Sequence, residues 1–340
     1  MSGFPLMSAS IIKKAVETLQ AGKLVALPTE TVYGLGADAA NPEAVARIFA
    51  AKGRPADHPL IVHLANVASL SQWAEDVPQV AWDLATAFWP GSLTLILKKR
   101  PWVLLSVTGG QNTVGLRVPA HPLTLELLAA FAAAKAPGAA GIAAPSANRF
   151  GRVSPTAAAH VWEELGDKVS LVLDGGSCTV GIESTIVDFS CGTPRILRPG
   201  AISPVDIASV VGCQLSVVSD GAGGTGTPVP RVSGSLAAHY APLTPLRQVK
   251  SSALAGEVAR LVHAGRRVAV LAYSVCAPSN AGSVFYWQTM TPEPAAYARV
   301  LYANLRTLDA LGAEVILVEE VPPGLAWQAI ADRLKRAATG

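Results

Sequence analysis

No stretch of this 340-residue sequence runs through the roughly 20 consecutive apolar residues that a membrane-crossing helix requires. The longest apolar region is interrupted by Glu126, Lys135 and Pro137. Charge is scarce, at 15% Asp, Glu, Lys and Arg against 50% apolar residues. That balance excludes a self-repelling disordered chain and leaves ample material for buried cores. A net charge of +3 is too slight for a polybasic nucleic-acid binder, although a local basic groove stays open. Met1 to Ser10 contain no basic segment followed by a long apolar core, so the chain is expected to be cytoplasmic. The cysteines, Cys178, Cys191, Cys213 and Cys276, form no C-x-x-C pair. Reduced thiols and no zinc-ligand spacing follow. A G-x-x-x-x-G-K-[ST] run is absent, which excludes a Walker-type phosphate loop. The serines build no nucleophile elbow or Ser/His/Asp triad, so no covalent mechanism is expected.

The length is about twice that of an ordinary domain and predicts one large unit plus a smaller one. Ile11, Ile12, Ala15, Val16 and Leu19 recur at helical spacing between Ser8 and Gly22. A strand follows at Lys23 to Leu27, closed by Pro28, and delivers the polar segment Thr29 to Gly36 at its end. Helices near 42–51, 80–88 and 123–135 then alternate with short apolar strands, among them 60–64, 93–98, 113–118, 141–144, 171–174, 185–188 and 195–198. This predicts a mixed α/β domain. The range 217–245 is dense in Gly, Pro, Ser and Thr, with 221–226 its most flexible part, and reads as a linker. Beyond it, helices at 253–264 and 295–311 alternate with strands at 267–273 and 314–319 as a small βαβ-like unit, closed by a helix over 324–338.

Five segments could carry chemistry. Thr29-Glu-Thr-Val-Tyr-Gly-Leu-Gly36 clusters hydroxyls and glycines after a strand, which suits close contact between backbone and a polar ligand. Its Gly34-x-Gly36 only weakly imitates a dinucleotide fingerprint. Lys52 and Arg54 stand on a Gly/Pro-shaped loop ahead of a strand ending in His63, and two fixed cations suit polyphosphate. In Thr113-Val-Gly-Leu-Arg-Val-Pro119, alternation puts Thr113, Gly115 and Arg117 on one face, away from the core side, where Arg117 could clamp a carboxylate. Ala143-Ala-Pro-Ser-Ala-Asn148 and the following Val153-Ser-Pro-Thr156 combine small residues with the polar groups of Ser146, Asn148 and Ser154. Gly181 to Asp188 and Ile196 to Gly200 add Ser184 and Arg198.

Taken together, these segments resemble the threonylcarbamoyl-AMP synthase family (YrdC family) over nearly the whole chain. Pro28 to Gly36, Lys52-Gly-Arg-Pro55, Pro59 to His63, Trp89-Pro-Gly91, Arg117-Val-Pro119, Pro145 to Asn148, Glu183-Ser-Thr185 and Leu197 to Gly200 occur in the family's order. The linker's His239-Tyr-Ala-Pro242 and the C-terminal unit make the chain look like the long, two-domain form. The resemblance implies a twisted mixed sheet with flanking helices over 1–204, a linker or lid over 205–247, and a small Rossmann-like α/β domain over 248–340. It implies that Thr29, His63, Arg117, Ala144 and Ser184 surround L-threonine. Lys52, Arg54, Thr113, Ser146, Asn148, Ser154 and Arg198 would line the ATP site, Lys52 and Arg54 being catalytic, and Tyr240 would close over the nucleotide. The family often carries basic residues just before His-Tyr-Ala-Pro; here Ser235-Leu-Ala-Ala238 stands there.

The implied reaction joins L-threonine, bicarbonate or CO2, and ATP into threonylcarbamoyl-AMP and pyrophosphate, for modification of tRNA by a downstream transferase. Mg²⁺ would accompany ATP, held by Asp174, Glu183 or the ATP oxygens alone. Such chemistry needs positioning and charge neutralisation rather than a protein nucleophile. The competing reading is a tRNA or double-stranded RNA binding module, with the same cations on phosphates. Carbamoyl transfer in metallocentre maturation is disfavoured by the lack of cysteine pairs.

Overall fold

The computed structural model describes residues 4–136, 138–218, 229–277 and 286–340. Positions 221–226, expected to be the most flexible part of the linker, lie outside them. The chain divides into two compact units. The first comprises Met1–Phe150, Pro155–Thr179 and Glu183–Ser235; the second comprises Gly151–Ser154, Val180–Ile182 and Leu236–Gly340. The linker range 205–247 is thus shared, its part up to Ser235 folding with the first unit and its part from Leu236 with the second.

In the first unit, ten strands of the described residues form one mixed sheet: β1 (Val25–Leu27), β2 (Gly34–Asp38), β3 (Ile61–His63), β4 (Leu93–Lys98), β5 (Thr113–Arg117), β6 (Ile142–Ala143), β7 (Leu171–Val172), β8 (Thr185–Asp188), β9 (Arg195–Arg198) and β10 (Ser216–Val217). Their spatial order is β10-β9-β8-β4-β5-β3-β6-β2-β1-β7. The parallel pairing of β3 with β5 sets His63 beside Arg117, and that of β4 with β8 sets Leu93 beside Thr185. Helices pack on the sheet by burying apolar residues at helical spacing, as Val45, Ile48 and Phe49 do in Pro42–Lys52. That helix begins under the side chain of Asn41, which accepts from the Ala44 N–H at 3.0 Å, with Pro42 in the first turn. It stops at Gly53, whose φ of 62° is one that glycine adopts without strain. Lys52 is therefore the last helical residue rather than a loop residue, as its sequence context suggested.

A strand that periodicity did not announce is β2. Gly34-Leu-Gly-Ala-Asp38 has no β-branched residue, and its glycines read as a turn. The cause of its pairing is close approach. A Cβ on Gly36 would stand 2.8 Å from Ile142 Cγ2 and 2.8 Å from Leu27 Cδ2, so only glycine lets β2 lie between β1 and β6. The helices Ala158–Leu165 and Pro204–Val211 also went unforeseen.

In the second unit, β11 (Leu246–Val249), β12 (Val268–Ala272), β13 (Tyr286–Thr289) and β14 (Val315–Glu319) form an all-parallel sheet in the order β11-β14-β12-β13. Two of these strands, β11 and β13, extend the expected βαβ core. Its helices are Ser251–His263, Pro294–Ala310 and Gln328–Ala337. The buried Glu319 ends β14, accepting from Ser251 Oγ at 2.7 Å and from the Tyr273 and Ser274 N–H groups at 2.7 and 2.9 Å. No helix among the described residues is long and apolar enough to cross a membrane.

Packing at Gly36 generates a prediction. Gly36→Ala should lower unfolding stability in urea by about 1–3 kcal/mol through overpacking. An unchanged midpoint would show that β2 does not need glycine there.

Candidate functional site

The polar residues converge in the first unit where β1 ends in the loop Pro28 to Tyr33, a segment buried throughout. Thr29 Oγ1 organises the turn. It receives the Val32 N–H at 3.1 Å and the Thr31 N–H at 3.2 Å, and donates to the Val32 carbonyl at 2.6 Å. Glu30 is thereby turned inward, where Arg117 Nη2 ion-pairs with Oε1. Ser92 Oγ donates to Oε1 at 3.0 Å, and the Ala120 N–H to Oε2 at 2.9 Å. Arg117 also donates through Nη2 to Thr31 Oγ1 at 2.9 Å and through Nε to the Gly91 carbonyl at 3.2 Å. Its exposure is 4%, and that of Glu30 is 8%. The strand face expected to lie away from the core is thus itself buried at Gly115 and Arg117, and Arg117 is no surface residue. Both ions tolerate this because each is met by the other and by neutral hydrogen-bond partners. Burial alone would raise the Glu30 pKa, but the Arg117 charge and the Ala120 N–H outweigh it and hold the carboxyl below its ordinary value.

His63 lies beside Arg117 by strand register. Side chains at paired positions leave the sheet on the same face. The ring is buried, and Nδ1 has no hydrogen-bond partner among the described residues. Burial, reinforced by the Arg117 charge, pulls its pKa down to about 3, so the imidazole is neutral at physiological pH. Among the described residues, Arg117 Nη1 likewise has no protein acceptor. Ala144 is buried beside Gly34, its Cβ 3.2 Å from where a Cβ on Gly34 would stand.

A second cluster lies around Ser184 and Arg198. Ser184 Oγ and Thr94 Oγ1 share a hydrogen bond of 2.7 Å. Arg198 clamps Ser184, donating to its carbonyl from Nε at 3.1 Å and Nη2 at 2.9 Å, and to its hydroxyl from Nη2 at 3.1 Å. Arg198 Nη1 donates to the Ser233 carbonyl at 2.7 Å. Arg54 Nη2 reaches the same residue, at 3.1 Å from Ser233 Oγ, and the Pro59 carbonyl at 3.0 Å. Ser233 therefore bridges the two arginines. Beside them, Val232, Thr113, Gly115 and Ile96 enclose a space of ≈ 10 Å³, about enough for one water.

Lys52 is buried, with Nζ donating to the Ser146 carbonyl at 2.5 Å and to the Asn148 carbonyl. Burial, with the Arg54 charge adding to it, holds the ammonium pKa well below the usual lysine value. The loop that supplies these carbonyls is fastened to the Thr29 segment: Leu35 N–H donates to Pro145 O at 2.7 Å and Ala147 N–H to Tyr33 O at 2.8 Å.

The structure thus brings Thr29, His63 and Arg117 together, ties Arg54, Ser184 and Arg198 through Ser233, and links Lys52 to Ser146 and Asn148. Ser154 and Tyr240 belong to the second unit. There Tyr240 is buried with φ at 61°, stacks on Tyr302 at 5.7 Å between centroids, and lies under the Arg333 guanidinium at 5.3 Å. Glu30, Thr31, Thr94 and Ser233 were missed as site residues. An acidic residue straight after an apolar strand was a usable signal for Glu30; Ser233, inside a Gly/Pro/Ser-rich stretch, offered none. Among the described residues no three His, Cys, Asp or Glu side chains group as metal ligands, and all four cysteines are free.

Comparison with known proteins follows this geometry. Residues 17–200 match the Sua5/YciO/YrdC family, described as telomere recombination, and residues 202–339 match the threonylcarbamoyl-AMP synthase C-terminal domain. The chain is 38% identical over 332 residues to a threonylcarbamoyl-AMP synthase of Pyrococcus abyssi, covering 96% of this chain and 93% of the relative. It is 37% identical over 339 residues to that of Bacillus subtilis, covering 97% and 93%. The crystal structure of P. abyssi Sua5 complexed with L-threonine superimposes with a TM-score of 0.87 at 36% identity, covering 96% of this chain and 94% of that one.

The environment of His63 generates a prediction. Its ring carbons should keep the NMR shifts of a neutral imidazole from pH 8 down to about pH 4, because the folded pKa is about 3. Titration near the ordinary value of about 6.5 would show that the ring is not desolvated as described.

Proposed function

The chain belongs to the threonylcarbamoyl-AMP synthase family, and from that premise we infer that it joins L-threonine, bicarbonate or CO2, and ATP into threonylcarbamoyl-AMP and pyrophosphate. The observation that carries this reading is the buried His63 Nδ1, which has no protein partner among the described residues, next to Arg117, whose Nη1 makes no hydrogen bond to the described residues. Buried polar groups rarely stay unpaired, and a free guanidinium N–H held in place by Glu30 suits a substrate carboxylate. L-Threonine is the matching ligand by family, and neutral His63 would face its polar groups without adding charge. Thr29, Ala144 and Ser184 complete the small surround.

In the reaction the threonine nitrogen bonds to the carbon of CO2 and loses a proton. A carbamate oxygen then attacks the α-phosphorus of ATP, and the bond from that phosphorus to the bridging oxygen breaks as pyrophosphate leaves. Negative charge shifts onto the departing phosphates, so fixed cations lower the barrier if they are placed before the reaction begins. Arg54 and Arg198 suit that role because both are anchored on Ser233, and Lys52 because its ammonium is desolvated. Thr113, Ser146 and Asn148 would line the nucleotide. Mg²⁺, held by Asp174, Glu183 or the triphosphate oxygens alone, would neutralise further charge. This makes the chain a cytoplasmic nucleotidyltransferase whose product serves a downstream transferase acting on tRNA.

The test is pyrophosphate release from ATP and Mg²⁺ with L-threonine and bicarbonate each left out in turn. Release should need both; release indifferent to threonine would overturn the reading. Arg117→Ala should raise the threonine KM by about tenfold or more, equivalent to 1.4 kcal/mol or more of binding, while ATP binding persists. Lys52→Ala should lower kcat by about 10²-fold or more with a smaller effect on KM, and unchanged turnover would remove Lys52 from the mechanism.

A further inference from the structure

We propose that a cleft in the first unit, at the opposite end of β1 from Thr29, is a second site, for a phosphate-bearing small molecule of nucleotide size. It opens where the chain enters β1 and its parallel neighbour β7. Val25 pairs with Leu171 in that register, so Leu24 and Ser170 stand side by side just ahead of the strands, and Ser170 N–H donates to Leu24 O at 3.1 Å. Strands pair about 4.8 Å apart. Lys23 and Lys168 therefore approach the cleft from adjoining chain segments. Arg47, Ala50 and Ala51 share a face of the helix Pro42–Lys52, at spacings of three and four residues, and form its other wall. The cleft holds ≈ 480 Å³, within the range of about 300–1,000 Å³ for small-molecule sites.

Its charge is one-sided. Lys23, Arg47 and Lys168 line it with the hydroxyl of Ser170, and no Asp or Glu does. Neither lysine ammonium meets a protein acceptor among the described residues. Arg47 is fixed instead of free: Nη1 donates to the Gly22 carbonyl, leaving the rest of the fork unbonded. Gly22 has φ +70°, and a Cβ there would stand 3.1 Å from Arg47 Nη1, so the turn admits the guanidinium by lacking a side chain. Three like charges facing one concavity repel one another unless an anion joins them. A phosphate group meets that need, and the apolar wall of Leu24, Ala50 and Ala51 suits the flat body of a nucleoside. The six residue steps from Lys23 to Thr29 span about 20 Å when extended, which sets the cleft apart from the Thr29 segment.

Equilibrium binding of AMP, adenosine and inorganic phosphate to the parent chain and to Lys23→Glu/Lys168→Glu tests this. Both substituted residues are exposed and lie outside the reacting groups, so pyrophosphate release should be unchanged. The parent should bind one more AMP per chain than the variant. Adenosine should show no such excess, and phosphate a weaker one. Lys23→Ala and Lys168→Ala singly should each weaken the extra site by about threefold or more, which keeps the test open if the double reversal misfolds. Equal AMP stoichiometry in parent and variant would overturn the proposal. So would an equal excess of adenosine, or an RNA duplex held through these lysines without an AMP excess.

Discussion

The site depends on one buried ion pair, Glu30 with Arg117. An arginine at the end of an internal strand and a glutamate in a buried turn would each be costly alone, since desolvating an unpaired ion costs several kcal/mol. Together they are tolerated, and each constrains a different part of the chain. Arg117 fixes the Thr31 hydroxyl and the Gly91 carbonyl; Glu30 fixes Ser92 and the start of the segment after β5 at Ala120. Three chain segments distant in sequence, 28–33, 91–94 and 117–120, are thereby locked around one charge pair. Glu30 also takes up Arg117 Nη2 and so sets the direction in which Nη1 remains available. The pair is a positioning device as well as a structural one.

The same economy governs the other cations. Lys52, Arg54 and Arg198 are all buried, and each donates to backbone carbonyls: Lys52 to Ser146 and Asn148, Arg54 to Pro59, Arg198 to Ser184 and Ser233. Carbonyl partners orient a cation without cancelling its charge. Positive potential is thus kept inside the unit, and the lowered Lys52 pKa records the strain of keeping it there. Such an arrangement suits a polyanionic substrate with a charge-separating transition state.

Much of this was legible in the sequence, and for a definite reason. Helices such as Pro42–Lys52 and Pro294–Ala310, and strands such as β4 and β14, carry their own apolar period and stops, so local pattern and final structure agree. The motif residues stood out by different signals: Thr29 follows an apolar strand, Lys52 and Arg54 sit on a Gly/Pro-shaped stretch ahead of the strand that ends in His63, Arg117 alternates within a strand, and Ser184 and Arg198 complete a polar set. Burial was what pattern could not show. Arg117 alternates as an outward residue, yet the sheet is covered on both faces, so its face is interior as well. Gly34 to Asp38 looks like a turn because the pairing of β2 rests on a missing Cβ and on neighbours contributed by Leu27 and Ile142. Ser233 was hidden in a stretch whose composition reads as linker, although that part folds with the first unit.

Unfolding of Glu30→Gln in urea, followed from pH 7 to pH 3, tests the central claim most directly. The folded carboxyl titrates below its ordinary value, so its stabilisation is fully present above the unfolded pKa of about 4.3 and is lost as pH falls through the folded value. The variant should be less stable than the parent by about 3–5 kcal/mol at pH 7, because it leaves Arg117 buried without its partner. The gap should narrow steadily as pH falls below the unfolded value of about 4.3, because the stabilisation by the parent's carboxylate is progressively lost there. A gap that is absent at pH 7, or that stays constant across the range, would contradict the account of Glu30 and Arg117 as the charge pair on which the site is built.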